Sequence, residues 1–112
     1  MSISYLKLTG SITTEDFLNN LISTDTGDAE GRHWLVDTLD CHFDFRFEDI
    51  EAMISRVRAW PEECCRGVRI ALYATSDVTY GLARVMSSMA ESIGVDLAVY
   101  REIDEAEAYL AI

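Results

Sequence analysis

The stretch GVRIALYATSD, Gly67 to Asp77, decides the fold. Its centre, Ile70-Ala71-Leu72, is apolar without interruption, as in a strand covered on both faces rather than one with a wet side. Ser76 and Asp77 then stand where a helix needs a cap. Beyond them Val78, Leu82, Val85, Met86, Met89 and Ile93 recur at three- and four-residue steps, and Gly94 closes the run. A doubly covered strand leading directly into an amphipathic helix is a piece of a β-α-β arrangement, so neighbouring segments are read for the same alternation.

Upstream, Leu6 and Leu8 alternate with Lys7 and Thr9, the period of a strand with one buried face, and Gly10 is expected to end it. Thr13 and Asp16 have nearly the spacing of a capping box, followed by Phe17, Leu18, Leu21 and Ile22 on one helical face. The polar stretch from Ser23 to Arg32 reads as a loop. HWLVDTLDC, from His33, is a short apolar run suited to a buried strand. Phe47, Ile50, Met53, Ile54, Val57 and Trp60 mark a second helix that Pro61 stops. Downstream, VDLAVYREI is a last strand, and Asp104 with Glu107 is expected to cap a short helix carrying Ala106 and Leu110. The predicted fold class is α/β: a mainly parallel or mixed four-stranded sheet, with strands near Ile3–Thr9, His33–Thr38, Val68–Ala74 and Asp96–Arg101, and about four packed helices. Ligands of such sheets usually lie at the rim formed by the C-terminal strand ends.

Composition fits this reading. The 112 residues suit a single domain over 1–112, large enough to bury roughly two-thirds of its unfolded surface. Twenty acidic against nine basic side chains give a net charge of −11, which repels nucleic acid and anionic lipid headgroups. Three cysteines, two of them adjacent (Cys64 and Cys65), imply no disulfide framework and point to a reducing, cytoplasmic setting. No apolar run approaches the ~20 residues of a membrane span, so stable membrane insertion is not expected.

The order GSITTEDF, WLVDTLDCHFDFRFEDI, RIALYATSD and VYREIDEAEAYL resembles the SpoIIAA-like family of STAS-fold proteins, sometimes grouped with Sec14-like domains. The resemblance covers nearly the whole chain and rests on patterns of apolar residues and turns. It implies a STAS-type domain and a relation to anti-sigma factor antagonists, which are non-enzymatic and switched by serine phosphorylation. Asp37 matches their strand aspartate and Asp44 the first residue of their Asp-Ser-Ser-Gly turn, but Phe45, Arg46 and Phe47 take the next three places. The phosphorylatable serine is therefore missing. The resemblance also leads one to expect a further strand ahead of GSIT; with few residues before Leu6, the first strand is expected at a sheet edge.

CHFDFRF, Cys41 to Phe47, groups a thiol, an imidazole, a carboxylate and a guanidinium, as a nucleophile with its base would be grouped. In an extended chain, however, side chains alternate, so Cys41, Phe43, Phe45 and Phe47 face one way while His42, Asp44 and Arg46 face the other. The expectation is a buried apolar row backed by a solvated polar one. His33, His42, Cys64 and Cys65 lack the paired spacing of structural zinc ligands, so no metal is expected. No G-x-G-x-x-G, P-loop, G-x-S-x-G or H-E-x-x-H occurs, so no cofactor and no enzymatic activity are expected. Two function classes follow. One is a non-catalytic regulatory or interaction module, with a protein partner or a second copy as a homodimer. The other is a binder of a small apolar or lipid-like ligand of the Sec14-like kind. For both, the predicted rim comprises Asp37, Phe43, Asp44, Phe45, Tyr80 and Met86.

Overall fold

The computed structural model describes residues 2–23, 32–61 and 67–111. Their elements alternate as β1 (Ser2–Ile12), α1 (Thr14–Ser23), β2 (Arg32–Phe43), α2 (Phe47–Arg58), β3 (Arg69–Tyr73), α3 (Asp77–Glu91), β4 (Asp96–Tyr100) and α4 (Ile103–Leu110). The strands form one sheet in the order β1-β2-β3-β4, with every neighbouring pair parallel. The mixed alternative is thereby removed. Three crossovers step in the same direction across the sheet, so right-handed connections place α1, α2 and α3 on one face.

That face holds the main core. Leu6, Leu8, Trp34, Val36, Ile70, Leu72 and Leu97 of the strands meet Phe17, Ile50, Met53, Ala83 and Met86 of the three helices. On the opposite face α4 packs alone, with Ala106 and Leu110 against Leu35 and Ala71. The central strand β3 is thus buried on both sides, which is why its sequence shows no polar alternation.

Both early strands run further than their sequence suggests. Gly10 does not end β1; it sits at φ 76° within the strand, a conformation open to glycine without a Cβ penalty, and pairing continues to Ile12↔Phe43. The register slips between Lys7↔Asp37 and Thr9↔Asp40, which leaves one extra residue in β2. This bulge reverses the phase of β2: Trp34 and Val36 face the core before it, and Cys41 and Phe43 after it. If the same residues ran as a regular strand with no bulge, His42 rather than Phe43 would turn inward.

Helix ends follow local chemistry. Thr13 and Asp16 form a reciprocal box, each backbone N–H donating to the other's side-chain oxygen at 3.1 Å. Asp49 accepts from the Arg46 N–H at 2.8 Å at the start of α2. In α4 the cap is Glu102, and Asp104 lies inside the first turn, where its charge favours the positive helix end without capping it. In α3 the face against the sheet is Thr79, Ala83, Met86 and Ala90, while Val78 is 64% exposed. Two alanines let the helix axis approach the sheet closely, and Leu82, Val85, Met89 and Ile93 pack at the flanks. Gly94, at φ 76°, turns the chain so that the Val95 N–H donates back to Ala90 O.

Candidate functional site

The C-terminal rim gathers most of the residues the sequence singles out. Asp37 directs its carboxylate to the Leu39 backbone N–H at 2.9 Å, and Thr38 donates its hydroxyl to Tyr73 O at 2.7 Å. Together these side chains secure the bulge to the end of β3. Phe43 and Phe45 are buried, 3% and 8% exposed, with rings stacked 4.5 Å apart and 7° from parallel. Phe17 of α1 meets both edge-on, at 6.1 and 6.4 Å. The pair therefore seals the top of the core. His42, Asp44 and Arg46 are exposed, so the alternation places the imidazole away from the thiol. Phe47 departs from the row: it opens α2 and is 54% exposed. Burial pushes the half-buried Cys41 thiol up to about 11, and the Asp37 and Asp40 carboxylates add to the shift. Such a thiol is a poor nucleophile near neutrality, because the thiolate is the attacking form.

Connections from β3 and β4 leave to opposite faces of the sheet. Arg101 joins their C-terminal ends. Its guanidinium donates to Thr75 O at 3.1 Å, pairs with Asp77 at 2.9 Å and lies over the Tyr80 ring at 4.3 Å. Tyr80 is thus engaged as a platform for arginine. A shallow polar depression between the starts of α1 and α2 is lined by Thr13, Glu15, Asp44, Arg46 and Asp49. Among the described residues no three His, Cys, Asp or Glu side chains gather as a metal-holding group. Cys64 and Cys65 lie outside the described residues.

At the other end of the sheet is an apolar cavity of about 420 Å³. Its floor is the beginning of three strands: Trp34 of β2, Val68 and Ile70 at β3, Val95 and Leu97 at β4. Its walls are Phe17, Leu18 and Leu21 of α1, Met53, Ile54 and Val57 of α2, and Met86 and Ala90 of α3. The exposed lining residues, Ile22 and Pro61, mark its mouth, between the ends of α1 and α2. Every described lining residue is apolar, and both tryptophans of the chain, Trp34 and Trp60, are among them. Of the six predicted rim residues only Met86 reaches this space; Asp37, Phe43, Asp44, Phe45 and Tyr80 stay at the opposite end.

The rule that ligands of parallel sheets lie at the C-terminal strand ends points to the end opposite this cavity. A signal was present: large apolar residues stand close to the start of three strands (Trp34, Val68, Val95), while the last turns of α1 and α2 carry Leu21, Ile22 and Val57, with Trp60 just beyond α2. Helices whose final turns remain apolar, above strands that begin apolar, extend the core to that end of the sheet. Among the described residues no helix is long and apolar enough to cross a membrane. Comparison of the chain with protein-family models, with curated proteins and with solved structures finds no match to any of them.

Proposed function

We propose that this chain is a non-catalytic binding module that takes a small apolar ligand into the cavity at the N-terminal ends of its strands. The cavity itself carries the reading. Its volume lies within the range of small-molecule sites, and its lining offers hydrophobic and aromatic surface. Burying ~200 Å² of apolar ligand surface is worth roughly 5 kcal/mol before the cost of association. Binding is therefore expected with a dissociation constant of about 0.2 mM or weaker.

The neutral fluorescent probe N-phenyl-1-naphthylamine tests this reading. It should brighten on addition of the protein and take up energy from the tryptophans. Val95→Phe, which enlarges a partly buried lining side chain, should abolish both effects while the circular dichroism spectrum is retained. A wild-type protein that leaves the probe unchanged would refute the reading.

A second reading is the regulatory or protein-interaction module implied by the SpoIIAA-like, STAS-type resemblance, acting in the cytoplasm. One observation favours it: β1 is an edge strand of eleven residues whose outer side no described strand pairs, and its Tyr5 is 66% exposed. Unpaired backbone groups along such an edge invite another chain. Light scattering at micromolar concentration should then give a dimer mass; a monomer mass counts against it.

A further inference from the structure

Building on that ligand-binding reading, we infer that the ligand is a single-chain amphiphile with an anionic head, a carboxylate of the fatty-acid kind, seated with its chain in the cavity and its head at Arg56 and Arg58. Met53, Ile54 and Val57 turn inward from α2 to line the cavity. At 100° per residue, Arg56 and Arg58 fall about 100° to either side of that apolar stripe, in the last turn of the helix. This is the mouth end, next to Trp60 and Pro61. Both arginines are exposed, and among the described residues neither forms an ion pair. A molecule entering at this end therefore passes the helix turn that carries both arginines.

Charge sets the sign of the head. The chain carries twenty acidic and nine basic side chains, so a pair of uncommitted arginines goes against the average of its surface. The carbonyl end of α2 contributes about half a negative charge, which the two full positive charges outweigh. Among the described residues no polar side chain lines the interior, and none of them would pair with a polar group on the buried part. The ligand's polar atoms are confined to one end, and that end emerges where the guanidinium groups can donate to a carboxylate.

The test compares dodecanoate with dodecanol, which has the same chain and a neutral head, each displacing N-phenyl-1-naphthylamine from the wild-type protein and from the R56Q/R58Q double variant. Dodecanoate should bind the double variant roughly 3- to 10-fold more weakly, as expected for loss of two exposed ion pairs, and should weaken with added salt. Dodecanol and the probe should bind both proteins alike and ignore salt. If dodecanoate is as tight on the double variant as on the wild type, the assignment of the head is overturned while the cavity reading stands. If neither the probe nor either ligand binds the wild-type protein, the cavity reading falls and this inference with it.

Discussion

Asp37 turns its carboxylate onto the main chain, and the rest of CHFDFRF follows from where that bulge leaves the strand. Phe43 emerges facing the core, buried against Phe17 and Phe45. Phe43→Ala should cost ~3–5 kcal/mol in urea unfolding, the usual range for a fully buried ring, whereas His42→Ala should stay within ~0.5 kcal/mol because its side chain is solvated. An equal loss from the two would contradict the alternation. Cys41 makes a second prediction. Its folded-state pKa, about 11, lies above the ordinary 9.0. The native state holds the thiol proton to higher pH than the unfolded chain does, so its contribution to stability is complete below ~8.5 and lost as pH rises toward 11. In a Cys64→Ser/Cys65→Ser background, alkylation of Cys41 by iodoacetamide at pH 8 should be slower than that of free cysteine and should accelerate up to about pH 11. Rapid alkylation at pH 8 would show an activated thiol instead. Alternation alone predicted the directions of Cys41 to Arg46, because period two is a property of the extended backbone. The stacking of Phe43 on Phe45 was not legible, since it depends on α1 bringing Phe17 against both rings.

At the scale of the element, the bulge makes β2 intelligible. Core-facing positions change from even to odd numbers between Val36 and Cys41, a shift that reads as the end of a strand when pairing partners are unknown. This is why the sequence suggested a strand stopping near Thr38, although pairing continues to Phe43. The extra residue can be tested by deletion. Leu39 is 45% exposed, and removing it restores regular pairing with Thr38, Cys41 and Phe43 in phase with Trp34 and Val36. The Leu39 deletion should therefore remain folded, losing the Asp37 hydrogen bond at a cost of ~1 kcal/mol. Deleting Thr9 from the facing strand should instead turn Ile12 outward and abolish the cooperative unfolding transition. If both deletions behave alike, the bulge does not set the phase. Helix positions were legible from spacing, but the exact face of α3 was not. Its inward residues Ala83 and Ala90 are small, and a hydrophobic pattern weights large side chains, so the predicted stripe was rotated toward Val78.

At the scale of the molecule, alternation of strands and helices was enough to predict a four-stranded α/β sheet, because consecutive parallel strands need crossovers. The sequential strand order was not legible; it is decided by how three helices share one face. That order also places the cavity, since three helices side by side above four strand beginnings leave a space that a single crossover helix would not. Ser2 pairs with Arg32 at the start of the sheet, and α4 returns so that Arg69, the first residue of β3, donates to Tyr109 O. Both described ends of the chain thus lie at the level of the cavity mouth, with Asp77 and Val78 at the far rim. A sensor surface or affinity resin that holds the protein near Ser2 would therefore stand at the cavity's end of the sheet, whereas tethering through a residue engineered at exposed Val78 would present the mouth to solution.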